Sequence, residues 1–120
     1  MGDLTANFSR HEFACKCGCG ANHIDPALVD ILQQIREAVG RGLIVESGVR
    51  CFEHNLKVGG KPNSAHMRGK AADIVCHGSR LRYQLVSLSL QAGIPRIGIG
   101  KTFVHLDIDD SLTPEVIWLY

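Results

Sequence analysis

Charge of one sign is what this sequence lacks most clearly. Its 13 Lys and Arg residues face 12 Asp and Glu, for a formal charge of +1. No basic field exists to hold nucleic-acid phosphates or an anionic membrane surface, so neither is expected as a partner. Long apolar runs are missing too: the longest are about five residues, against the roughly 20 that a bilayer span needs. The first ten residues are polar and hold no apolar stretch of signal type, so no secretory signal is expected. Repeats and linker-like segments are absent. A chain of 120 residues has room for one domain, expected to run 1–120, with one sizeable core. An even set of cysteines is also lacking. Five cysteines cannot all pair within the chain, and without a signal the default is reduced thiols.

What is present has the balance of a globular protein, at 45% hydrophobic and 21% charged residues, which argues against a disordered tail. Residues 1–24 carry little periodicity. Asp25 and Pro26 then form a helix start, as N-cap and first helical residue. Leu28, Ile31, Leu32, Ile35 and Val39 follow at helical spacing, with Gly40 as the stop. Leu43 to Glu46 reads as a short strand. Residues 47–70 are rich in Gly, Asn, His and charge and read as one long loop, of the kind that usually carries function. Ala71 to Val75 reads as a strand, and Leu81, Leu85, Leu88 and Ala92 mark a second helix. Arg96 to Ile99 and Phe103 to Ile108 read as a hairpin joined at Gly100-Lys101. In the mixed tail, Trp118 reads as a packing anchor.

A lone histidine is more often a surface residue than a ligand, so context must separate the six present. In the last long strand, Val104, Leu106 and Ile108 alternate with His105 and Asp107. The apolar residues want the helices, and the opposite face presents an imidazole beside a carboxylate. Asp73 lies within an apolar strand, between Ala72 and Ile74. A carboxylate there is costly unless it is paired or binds a metal. It is either part of a salt bridge or a capped loop or, with His66 and His105, one of three ligands. Two histidines and one carboxylate are the protein donors of a catalytic zinc site.

These residues carry a resemblance. Ser47-Gly48-Val49-Arg50, Asn55, Gly59-Gly60, Ser64-x-His66-x-x-Gly69-x-Ala71-Ala72-Asp73-Ile74 and Val104-His105-Leu106-Asp107 resemble the zinc D-alanyl-D-alanine carboxypeptidase-like peptidases. That family includes phage L-alanyl-D-glutamate endolysins and other murein endopeptidases. The opening Phe8-Ser9-x-x-Glu12-Phe13, with the Cys-rich stretch behind it, resembles the family's small single-domain branch. The resemblance implies His66, Asp73 and His105 as zinc ligands, with one zinc per chain. It implies Arg50 as a catalytic and substrate-binding residue, holding a carboxylate or polarising the scissile carbonyl, and Ser64 as a supporting, substrate-binding residue. Better-known members carry an acid shortly before the last zinc-binding His, and residues 98–104 hold none. Asp107 is the nearest carboxylate. It is either the general base or a partner that orients a ligand, with the base role slightly favoured, and Glu53, His54 and Asp109 are next in line. Cys15, Cys17 and Cys19 are left with three roles: a second metal site with His23 or Cys51, a disulfide, or none.

The expected fold is α+β, a small, mostly antiparallel sheet with helices on one face and the zinc site on the other. The expected function is zinc-dependent hydrolysis of an amide bond in a peptidoglycan stem peptide, by a monomer made in the cytoplasm that reaches the wall by release or on a phage particle. The alternative is a murein-binding or structural phage or envelope module that has lost catalysis.

Overall fold

The computed structural model describes residues 2–120. Five strands form one sheet: β1 (Val45–Ser47), β2 (Ala71–Val75), β3 (Arg96–Ile99), β4 (Phe103–Asp107) and β5 (Val116–Leu119). Their spatial order is β1-β2-β4-β3-β5. All pairs are antiparallel except β3 with β5. Helices α1 (Pro26–Val39) and α3 (Ser79–Gln91) pack on each other and cover one face. This is the α+β architecture that the alternation of β4 and the two helical stripes imply.

The start of α1 follows its sequence signals. The Asp25 carboxylate accepts from the Ala27 N–H at 2.8 Å, Pro26 needs no N–H partner in the first turn, and Gly40 ends the helix at φ 80°. Leu28, Val29, Leu32 and Ile35 are buried on the core stripe, where they meet Ile74, Leu85, Ile97, Val104 and Leu106. Each such side chain contributes about 1.5–3 kcal/mol through burial.

Two stretches hold more structure than their sequence suggests. Within the first 24 residues, Arg10–Phe13 form a 3₁₀ turn, with the Ser9 N–H donating to the Glu12 carboxylate at 2.7 Å. Phe8, just before that turn, and Phe13, its last residue, are buried in the core. The 47–70 stretch is a loop broken by a short helix, α2 (Phe52–Lys57), and a 3₁₀ turn at Ala65–Arg68. Helix α2 is six residues long and leaves Phe52 and Leu56 exposed, so no apolar stripe announces it. No helix among the described residues is long and apolar enough to cross a membrane.

Candidate metal centre

Strand register assembles most of the site. Ser47 of β1 lies opposite Asp73 of β2, Asp73 opposite His105 of β4, His105 opposite Gly98 of β3, and Gly98 opposite Trp118 of β5. One row therefore crosses the whole sheet, on the face away from the helices. The next row sets Ala71, Asp107, Arg96 and Val116 side by side. Directly opposed residues share a face of the sheet, so Asp73, His105, Asp107 and Arg96 meet above it. Gly98 makes room for this: a Cβ there would stand 2.7 Å from the Trp118 ring.

His66 comes from above, on the 3₁₀ turn of the 47–70 loop. Its N–H donates to the Ser64 hydroxyl at 3.2 Å, and Gly69 ends the turn at φ 71°. The carbonyl of Gly48 accepts from His66 Nδ1 at 2.7 Å, which directs the other ring nitrogen into the site. There Nε2 stands 3.3 Å from Asp73 Oδ1, and His105 Nδ1 stands 2.9 Å from the same oxygen. His105 Nε2 faces Asp107 Oδ2 at 2.9 Å.

This donor set fits a metal ion. One atom from each of His66, Asp73 and His105 lies within 4.8 Å of the others. Tetrahedral ligands about 2.0–2.1 Å from an ion stand about 3.3–3.4 Å apart, close to the distances found. The outer nitrogens complete the pattern, since metal-binding histidines usually give their second N–H to a carbonyl or carboxylate. Gly48 and Asp107 fill those two roles. With both N–H groups directed outward, two nitrogen lone pairs and a carboxylate oxygen converge, a set that a cation between them satisfies. All three residues are buried, which makes such compensation more pressing.

Electrostatics keep the carboxylates ionised. Burial would raise the Asp73 carboxyl, but the imidazoles of His105 and His66 outweigh it and hold it well below the usual range. Burial also acts against ionised Asp107, and His105, the Asp109 N–H and Arg96 together keep it low. Arg96 donates from Nε to both Asp107 oxygens at 3.1 Å and from Nη1 to the Thr113 carbonyl at 2.6 Å. Arg50 reaches Asp73 Oδ2 at 3.4 Å, Asn55 Oδ1 at 3.3 Å and Ser47 Oγ at 3.2 Å.

The donors lie on the floor of a cleft of about 810 Å³ that Arg50, Gly60, Ser64, Arg96, Trp118 and Tyr120 help to line. His66, Asp73, His105, Asp107, Arg50 and Ser64 all line this one cleft. Glu53, His54 and Asp109 do not line the cleft, and Asp109 is engaged with Arg68 and Ser111. Sequence reasoning missed Arg96 and the aromatic wall. Trp118 packs, but over the site: its ring is 5.3 Å from that of His105 and 5.1 Å from the Arg96 guanidinium. The available signal was the period-two spacing of Trp118 and Tyr120, which puts both on one strand face.

A buried pair of histidines and a carboxylate on the floor of a cleft is a donor set suited to a divalent metal and to the hydrolytic chemistry a metal supports. The chain belongs to the Peptidase M15 family, whose model matches residues 6–107. That match takes in all three donors and ends on Asp107. No curated protein matches the sequence.

Proposed function

We propose that the protein is a zinc-dependent peptidase that hydrolyses an amide bond in peptidoglycan stem peptides. The observation that carries this reading is the convergence of His66 Nε2, Asp73 Oδ1 and His105 Nδ1 on the cleft floor. Two histidines and one carboxylate are a catalytic zinc set. Zinc held there supplies a Lewis acid for the scissile carbonyl and lowers the pKa of water.

The chain's own residues do the rest. Arg50 is fixed by Ser47, Asn55 and Asp73 at the edge of the donors, with its side chain 15% exposed. A planar guanidinium so placed binds a substrate carboxylate or the developing oxyanion. Ser64 holds His66 through its N–H and lines the cleft, within reach of substrate. Trp118 and Tyr120 supply an apolar wall for a peptide side chain. Asp107 accepts the outer proton of His105 and keeps Nδ1 aimed at Asp73. Its two oxygens are already taken by His105, Arg96 and the Asp109 N–H, which supports an orienting role.

One observation favours a second role for the same residue. Among the described residues, Asp73 and Asp107 are the only ones with a carboxylate side chain that line the cleft. If a carboxylate carries a proton from water to the leaving amine, it is Asp107. If none does, the domain binds murein without cutting it.

Mass spectrometry of murein fragments after incubation with the zinc-loaded protein tests the proposal. New amino and carboxyl ends within the stem peptide are expected, and none with His105→Ala. A zinc-loaded wild type that binds murein and releases no fragment would turn the reading to a binding module.

A further inference from the structure

A second donor set lies at the junction of the N-terminal segment and the 47–70 loop. The Sγ atoms of Cys15, Cys17, Cys19 and Cys51 all lie within 4.8 Å of one another. Cys15 Sγ is 3.4 Å from Cys17 Sγ, which is 3.6 Å from Cys51 Sγ. Four sulfurs about 2.3 Å from a central zinc stand about 3.8 Å apart. The cluster therefore has nearly the edge length of a zinc tetrathiolate.

The backbone explains how alternating cysteines meet. In an extended strand, residues two apart share a face but lie roughly 6–7 Å apart, too far to share one ion. Here the chain curls instead. The Gly18 N–H donates to the Cys15 carbonyl at 3.2 Å, and the Cys15 N–H to the Ala21 carbonyl at 2.8 Å. Gly18 and Gly20 sit at φ 82° and 91°, a region open to glycine and costly for other residues. Cys51 closes the set from the far side. Its N–H donates to Cys15 Sγ at 3.4 Å, and the His54 N–H donates to Cys51 Sγ at 3.3 Å. Such N–H donors stabilise a thiolate. His23 is not part of the set, because its Nε2 is bonded to the Met67 carbonyl at 3.0 Å. Cys76 is buried elsewhere, at the end of β2.

We propose that Cys15, Cys17, Cys19 and Cys51 bind one zinc ion through four thiolates, as a closed structural site separate from the histidine cluster. Each S–H that enters the site is replaced by an S–Zn bond and gives its proton to solvent, with no change in oxidation state. A set of four protein thiolates fills the tetrahedron and leaves no position for substrate. The ion ties the N-terminal segment to the residue beside Arg50, across 36 positions of sequence. That cross-link restricts the unfolded chain and fixes the loop from which Arg50 and the Gly48 carbonyl reach the cleft. The inference does not rest on the peptidase reading.

Cobalt titration of the reduced, metal-stripped full chain tests it, with elemental analysis of the zinc form alongside. The wild type should bind two zinc ions and show the intense sulfur-to-cobalt charge-transfer band of a tetrathiolate. His66→Ala should keep that band and one zinc. The double variant Cys17→Ser/Cys19→Ser changes two exposed residues; it should lose the band and keep the other zinc. Wild-type protein that binds cobalt with no sulfur band overturns the proposal. So does a wild type whose single zinc disappears in His66→Ala, or one that keeps fewer than five titratable thiols after preparation under reductant.

Discussion

The two donor clusters differ in what holds them. His66, Asp73 and His105 are 2%, 6% and 5% exposed, and two of them are fixed by strand register. Cys17 and Cys19 are exposed and stand on a turn. The histidine cluster opens into a cleft lined by two arginines and an aromatic wall. Three nitrogen and oxygen donors suit chemistry, because they leave room for a reactant at the metal. Four sulfurs suit a staple. Strand register aims two of the three donors of the first cluster and a loop turn brings in His66, whereas the sulfurs are gathered by loops alone.

The largest expected effect breaks the first cluster alone. His66→Ala should remove the metal from the cleft and abolish hydrolysis. His11→Ala and His77→Ala, both at exposed positions, should change neither. Metal analysis beside a fragment assay reads both outcomes, and full occupancy in His66→Ala would mean that the ligands are elsewhere.

Asp107→Asn sharpens the account of how that cluster is aimed. The variant keeps the shape but loses the charge that holds the His105 proton. If Asp107 orients His105, zinc affinity should fall by about 10–100-fold and activity should return with added zinc. If Asp107 is the proton acceptor, zinc should stay bound while kcat falls by about 10²–10⁴. Zinc titration and kcat measured on the same preparation separate the two.

Arg50 sits between the clusters, one residue from Cys51 and 3.4 Å from Asp73. Arg50→Lys keeps a cation but cannot reach Ser47, Asn55 and Asp73 with one fork. Losing one charge-assisted hydrogen bond in the transition state is worth about 1.5–3 kcal/mol, so kcat/KM should fall about tenfold or more. Zinc content should stay constant at both sites. An unchanged rate would remove Arg50 from the substrate site.

Much of the cleft was legible in the sequence, because its chemistry is written in local patterns. Asp73 stood out as a carboxylate inside an apolar strand, and His105 and Asp107 stood out by alternation on β4. Their juxtaposition with Arg96 was not legible, since no local pattern fixes which residue of β3 lies opposite Asp107. Trp118 hid for the same reason: β5 pairs in parallel with a strand 20 residues earlier, Arg96 with Val116. The core role of Phe8 and Phe13 was hidden because the 3₁₀ turn that ends on Phe13 is too brief to show a period. The cysteines were legible as a group but not as a site. Their spacing gives no zinc-knuckle pattern, and the turn at Gly18 that folds them together shows only in three dimensions.

The smallest expected effect asks whether the N-terminal segment has a second tether independent of the sulfurs. Asp25 ends that segment, caps α1 through the Ala27 N–H, and pairs with Lys70, midway between His66 and Asp73 in the chain. Its own N–H donates to the Gly69 carbonyl at 2.8 Å. Lys70 draws the Asp25 carboxyl below its ordinary pKa, with burial acting against it. A carboxyl lowered by folding stabilises the fold above its unfolded pKa of about 3.9, and loses that contribution as pH falls through the folded value. Asp25→Ala removes both cap and ion pair and should cost about 1 kcal/mol at neutral pH. Asp25→Asn keeps the cap acceptor and should cost less, because a partly exposed ion pair contributes only about 0–1 kcal/mol. The gap between wild type and Asp25→Asn should therefore close as pH drops below about 4. Urea unfolding of the three proteins at neutral and acid pH measures this. If the cysteine site holds the segment by itself, both variants keep two zinc ions per chain. A loss of the sulfur-bound zinc in Asp25→Ala would show that the staple needs this tether to close.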